Sequence, residues 1–214
     1  MRTSDLEALA DRILAPLKSF PEGADYLAIS PSTVRLLASG QPVTVEEIAA
    51  AARRAPEDVR AALGRVAGVD WDEQGRVVGV GLSLVPTPHR FEVGGRTVFT
   101  WCALDALFFP ALLGRPARIE SPCRGTGQPV RVEVTPTDVV AAEPASAVVS
   151  VVVPRDLASV RSASCENVHL FSSREAAARW LEQHPGATLL PLHEAFRLGQ
   201  LIAERLRSLS AVEA

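Results

Sequence analysis

The run Phe99-Thr-Trp-Cys-Ala-Leu-Asp-Ala-Leu-Phe-Phe109 puts a thiol, Cys102, and a carboxyl, Asp105, three residues apart in an otherwise apolar stretch. On a helix, positions i and i+3 share a face, so the two groups point together into an oily environment. A buried carboxylate is costly unless it is paired, protonated or put to use. The residues alone leave two readings open. In the first, Cys102 is a nucleophile or soft-metal ligand and Asp105 accepts or returns its proton. In the second, Cys102 is a small core hydrophobe and Asp105 pairs with a core arginine. If Cys102 lies in the first turn, the helix N-terminus is expected to lower its thiol pKa.

A second thiol, Cys165, stands in Ser162-Ala-Ser-Cys-Glu-Asn-Val-His169, just before an expected strand, where side chains reach clefts. It gains significance only if it meets Cys102 in space. Cys123 sits beside the turn at Gly125-Thr-Gly127 and reads as structural or incidental. His169 alternates with Val168 and Leu170 and reads as a hydrogen-bonded core histidine. His193 and Glu194 are adjacent, with no HExxH spacing, so zinc hydrolase chemistry is disfavoured. No dinucleotide, phosphate-loop or nucleophile-elbow motif is present.

The positioning elements follow from pattern. Ser4 with Glu7 and Thr44 with Glu47 read as capping boxes, and Leu6, Leu9, Ile13, Leu14 and Leu17 form a helical stripe. Pro31 and Gly40 bracket a short helix, and Pro56 opens another. Residues 69–80 then read as a hairpin. Helix, turn, helix, hairpin is a winged-helix pattern. Its second helix opens Pro56-Glu-Asp, and the net charge of the 214-residue chain is −3, so nucleic acid is not an expected partner. From residue 84 strands dominate: 89–93, 96–100, 117–120, 130–134, 147–153 and 167–171. Helices are expected at 101–113, 173–184 and 192–209.

The fold class is therefore α+β. A small winged-helix-like domain at 1–83 precedes a largely antiparallel sheet domain with flanking helices at 84–214. Three unpaired cysteines, no signal core and no apolar run of membrane length point to a reducing cytoplasm, and with no obvious exposed apolar stripe to drive assembly a monomer is expected.

Trp101-Cys-Ala-Leu-Asp105, with Phe109-Pro-Ala-Leu-Leu-Gly114 and Arg118, resembles the signature of bacterial organomercurial (alkylmercury) lyases. The likeness continues through Cys123 and Thr126-Gly-Gln-Pro-Val130. It resumes at Cys165-Glu-Asn-Val-His-Leu-Phe171 and at His193-Glu-Ala-Phe-Arg-Leu-Gly-Gln200. The resemblance implies protonolysis of a carbon–mercury bond. Cys102 and Cys165 match the family cysteines that hold mercury, and Asp105 matches the proton-handling aspartate. It also implies an organomercurial substrate, no organic cofactor, small thiols as exchange ligands and a hand-off of Hg(II) to a mercuric reductase. Some members carry a second cysteine after the later one. Here that position is Glu166, so transfer through a vicinal thiol pair is not expected. The rival reading is a winged-helix soft-metal sensor, or a mercury-binding protein without turnover.

Overall fold

The structure is a computed structural model that describes residues 2–18, 21–66, 68–154, 161 and 164–211. Four helices open the chain: α1 (Thr3–Lys18), α2 (Pro21–Leu37), α3 (Val45–Ala52) and α4 (Pro56–Arg65). Leu6, Leu9 and Leu14 of the α1 stripe are buried, whereas the Leu17 side chain falls outside the described set. The capping box expected at Ser4 is not what starts α1. The helix begins one residue earlier, and Asp5 reaches back to the Arg2 N–H at 3.1 Å. The box at Thr44 forms as expected, with Thr44 Oγ1 on the Glu47 N–H (3.1 Å) and Glu47 on the Thr44 N–H (2.7 Å).

The short helix expected between Pro31 and Gly40 is instead the second half of α2, with Pro31 in its interior. A mid-helix proline removes one N–H and strains the turn before it. Here the hydroxyls of Ser30 and Thr33 bond back to the carbonyls of Tyr26 (2.6 Å) and Ile29 (3.0 Å), on either side of the interrupted turn. Packing of α2 against α4 and the last helix, α7 (Leu192–Ala211), does the rest.

The hairpin forms from β1 (Asp70–Trp71) and β2 (Val77–Val80). It continues without a break into β3 (Leu82–Ser83), β4 (His89–Val93), β5 (Arg96–Thr100), β6 (Ala117–Pro122), β7 (Pro129–Val134) and β8 (Val139–Glu143). These eight strands make one antiparallel sheet, in the order β1-β2-β3-β5-β4-β6-β7-β8. A smaller antiparallel sheet sets β9 (Val148–Val151) between β10 (Leu170–Phe171) and β11 (Thr188–Pro191). Sequence pattern overlooked β3, β8 and β11. Two of them are very short or end on a proline, and β8 is an edge strand whose Val-Val-Ala-Ala run, half-buried at Val139 and Ala142, lacks alternation. The strand expected over 167–171 is only Leu170–Phe171, because Cys165–Asn167 form a turn of 3-10 helix.

Helix α5 (Ala103–Leu113) is sandwiched between the large sheet and α7, and it is buried nearly all round. Gly199 of α7 makes this approach possible: a Cβ there would stand 2.9 Å from Phe108 Cβ. Helix α6 (Arg174–Gln183) is capped by Ser173. No helix among the described residues is long and apolar enough to cross a membrane.

Candidate active site

Cys102 is the N-cap of α5. Its backbone is extended (φ −146°, ψ 169°), and its sulfur accepts the Asp105 N–H at 3.4 Å, as a capping side chain does. Thr100 Oγ1 donates to the Cys102 carbonyl at 2.9 Å. Just ahead, the Trp101 N–H donates to the carbonyl of Gly81 at 2.7 Å. Gly81 has φ +68°, and Phe109 Cζ lies 3.0 Å from where its Cβ would be, so a side chain has no place there.

Cys165 is brought to Cys102 by backbone. The Ala103 N–H donates to the Val168 carbonyl at 3.1 Å, which ties the start of α5 to the turn that carries the second thiol. Ser150 of β9 holds that turn from the other side. Its hydroxyl donates to Asn167 O and accepts the His169 N–H, both at 2.9 Å. Ser164 Oγ adds a bond to Val152 O at 2.7 Å.

The result joins all three candidates from the sequence. Ligand atoms of Cys102, Asp105 and Cys165 lie within 4.8 Å of one another. They face a cavity of about 120 Å³ whose walls include Trp101, Leu104, Phe108 and Phe109, with residues of α1, α2 and α7 closing it. Asp105 Oδ2 is fully shielded and meets no hydrogen-bond partner. Burial pushes the Asp105 carboxyl from 3.8 up to about 7, against the opposing pull of hydrogen bonds to Cys102. A core arginine paired with this acid, the bland expectation, is not found among the described residues.

The expected lowering of the Cys102 pKa is overturned. Burial drives the thiol well above its ordinary value, and the neighbouring Cys165 and Asp105 push the same way. The Asp105 N–H is the smaller, opposing influence. A helix N-terminus contributes only about 0.3–1 kcal/mol, whereas full desolvation can move a pKa by roughly 3–5 units. Cys102 therefore rests as a neutral thiol.

Sequence reasoning missed several residues of the site. Tyr26 and Ser30, both on α2, line the cavity. Burial keeps the Tyr26 phenol protonated, reinforced by the nearby Cys165 and Asp105. The misplaced start of α2 hid them. Asp70 and Arg161 form an ion pair at 2.7 Å beside Trp101, and a separation of 91 residues carries no spacing signal.

The remaining candidates stand outside the cavity. Burial raises the Cys123 thiol, but hydrogen bonds from Ser172 and Thr126 outweigh it and bring it to about 7. Its sulfur accepts the Ser172 N–H at 3.2 Å and ties the β6–β7 turn to the start of α6. His169 packs edge-on against Trp180, with ring centroids 5.7 Å apart. The hydrogen bond expected of its ring is missing at Nε2, which is buried without a partner. Glu166 and His193 are exposed. Ser162 and Ala163 lie outside the described residues.

A family model described as "Alkylmercury lyase" matches residues 82–204, and one described as "Helix-turn-helix domain of alkylmercury lyase" matches residues 8–81. The chain belongs to the alkylmercury lyase family. Alkylmercury lyase of Staphylococcus epidermidis is 55% identical over 172 residues, 80% of either chain. That of Pseudomonas putida is 39% identical over 202 residues, 94% of this chain and 95% of its own length. Among solved structures, the mercury-bound form of MerB2 superposes with a TM-score of 0.76 at 26% identity, covering 95% of this chain and all of the other. As a family member the chain is an enzyme of the carbon–mercury lyase class, with an α+β fold that opens on a helix-turn-helix region.

Proposed function

We propose that this chain cleaves the carbon–mercury bond of organomercurials by protonolysis, with Cys102 and Cys165 as the mercury-holding thiols and Asp105 as the group that carries the proton. The observation that supports it is the convergence in an apolar cavity of two thiols and one buried carboxyl whose Oδ2 has no hydrogen-bond partner. Mercury is soft and thiolates are soft ligands. A substrate R–Hg–SR′ first exchanges its thiol for one cysteine, whose proton leaves on R′SH. The second cysteine then binds mercury and passes its proton to the Asp105 carboxylate. Two thiolates push electron density toward carbon, the C–Hg bond breaks, and Asp105 returns the proton to give R–H. Hg(II) stays on Cys102 and Cys165 until two external thiols remove it. Charge balances throughout, because each thiol sheds its proton only as mercury takes its place.

The high resting pKa of Cys102 fits this order. A neutral thiol costs nothing to bury, and it becomes a thiolate when a metal cation compensates the charge. Asp105 near 7 can both accept and deliver a proton at neutral pH, and a positioned acid contributes about 10²- to 10⁴-fold in rate. Trp101, Leu104, Phe108 and Phe109 would shelter the alkyl or aryl group. In this reading no organic cofactor takes part, the cytoplasmic monomer hands Hg(II) to a reductase through small thiols, and the acidic opening of α4 (Glu57, Asp58) keeps DNA away.

Turnover of phenylmercury in excess small thiol tests it. Many benzene molecules per chain are expected, with none from Cys102→Ser or Cys165→Ser and a loss of about 10²-fold or more in Asp105→Ala. Stoichiometric mercury capture without benzene refutes it and favours the sensor or sequestering protein.

A further inference from the structure

We infer that Asp70 is a positioning residue that sets the separation of the two thiols by holding Trp101, directly before Cys102, and Arg161, four residues before Cys165; this rests on the reading of Cys102 and Cys165 as the mercury-gripping pair. Asp70 opens β1 on the hairpin, outside the cavity. Its Oδ1 accepts Arg161 Nη1 at 2.7 Å, and the same nitrogen donates to the Gly68 carbonyl. Its Oδ2 faces Trp101 Nε1 and Ser83 Oγ, each at 3.4 Å. The Arg161 guanidinium lies over the Trp101 ring, 4.8 Å from its centroid. One carboxylate thus touches the residue directly before Cys102 and the residue four before Cys165.

The arrangement is built rather than incidental. Only 22% of the Asp70 side chain and 26% of the Arg161 side chain are exposed, so the pair is screened less than the surface pairs elsewhere on the sheet. Gly79, the partner of Asp70 across the hairpin, lies directly against Oδ2 with no room for a Cβ. Trp101 is the only member of the cluster that also walls the cavity. Asp70 therefore acts through others: it fixes the indole that precedes one thiol and the guanidinium that precedes the other.

Two thiols hold a metal far better than one because the second binds at high effective concentration, and that advantage is lost when its placement drifts. The expected signature is an effect that exists only while both thiols exist. The probe is Hg(II) alone, with the full chain challenged by a monothiol competitor. Asp70→Asn and Arg161→Gln are each made in the parent and in Cys165→Ser. Both should lower Hg(II) retention by roughly 10-fold in the parent and leave Cys165→Ser unchanged, and the two together should do no more than either alone. With phenylmercury, kcat should fall by a similar factor while KM holds, since neither residue lines the cavity.

Equal losses in both backgrounds would mean general loosening of the fold and would overturn the positioning role, as would unchanged retention in the parent. If Asp70→Asn does not fold, Arg161→Gln decides alone, because it leaves the carboxylate on Trp101 and Ser83. The two readings fail separately. Benzene from the parent with an indifferent Asp70→Asn removes the positioning role and keeps the lyase. No benzene, with Hg(II) retention still coupled to Asp70 through Cys165, removes the lyase and keeps the positioned pair.

Discussion

Replacing Asp105 by asparagine should make the protein more stable as it makes it inactive, and the gain should depend on pH. In the folded chain burial holds the carboxyl's proton up to about pH 7, whereas its ordinary value is 3.8. Between those values the unfolded chain gives up a proton that the folded chain keeps, so the folded state loses ground as pH rises. At about 1.36 kcal/mol per pH unit, the full difference is about 4 kcal/mol, reached just above pH 7 and constant beyond it. Asparagine does not titrate. Its amide, left with the same unpartnered position, costs roughly 1–3 kcal/mol, but that cost is the same at every pH. The stability of Asp105→Asn minus that of the parent should therefore climb by about 4 kcal/mol from pH 4 to pH 8. Urea unfolding at half-unit steps measures it, with phenylmercury turnover followed alongside. Two parallel pH–stability curves would refute the buried, proton-holding carboxyl, and with it the ability of Asp105 to accept and return a proton near neutrality.

Gly199→Ala should destabilise by about 1–3 kcal/mol, because the new Cβ meets Phe108 and must push α5 off α7. Turnover should fall with it, since Cys102 caps the displaced helix; a midpoint in urea equal to the parent's would show that the contact has slack. His89 and His169 make the protein acid-sensitive in the opposite sense to Asp105. Burial holds both neutral down to about pH 4, His89 further disfavoured by His169 and His169 by Arg124 and His184. The unfolded chain takes up protons from about pH 6.5 downward, so stability is lost as pH falls through that window. For His89 the loss should approach about 3 kcal/mol by pH 4.5, and His89→Gln should escape it; equal losses in the variant would point to other groups.

The chemistry of α5 was legible because it is local. Cys102 and Asp105 stand three residues apart at the start of one helix, and that spacing brings them together whether Cys102 lies in the first turn or, as here, caps it and accepts the Asp105 N–H. The partnership with Cys165 is not legible from spacing, because it depends on long-range bonds, from Ala103 to Val168 and between the turn that carries Cys165 and both Ser150 of β9 and Val152 just after it. The resemblance to a family supplied it. The direction of the Cys102 pKa was misjudged because local reasoning sees the helix N-terminus and not the layers of Leu, Phe and Trp that bury the sulfur. Tyr26 and Ser30 escape the pattern because Pro31 reads as a helix start, whereas two hydroxyl back-bonds carry α2 through it. Asp70 and Arg161, 91 residues apart, meet only once the sheet has formed.

The large sheet does not pause where the two family models meet. Leu82, the first residue of the lyase match, already pairs with Thr100 on one side and Val80 on the other, so the hairpin of the helix-turn-helix region is the sheet's own outer edge. Helix α2 meanwhile lends two polar side chains to the cavity wall. The helix-turn-helix region thus supplies both an edge of the sheet and part of the cavity wall. Its inward face lines the cavity beside Cys102, Asp105 and Cys165, so substitutions at Tyr26 or Ser30 bear on the cavity wall as well as on the packing of α2. Swapping the first third of the chain between relatives should exchange substrate preference together with it.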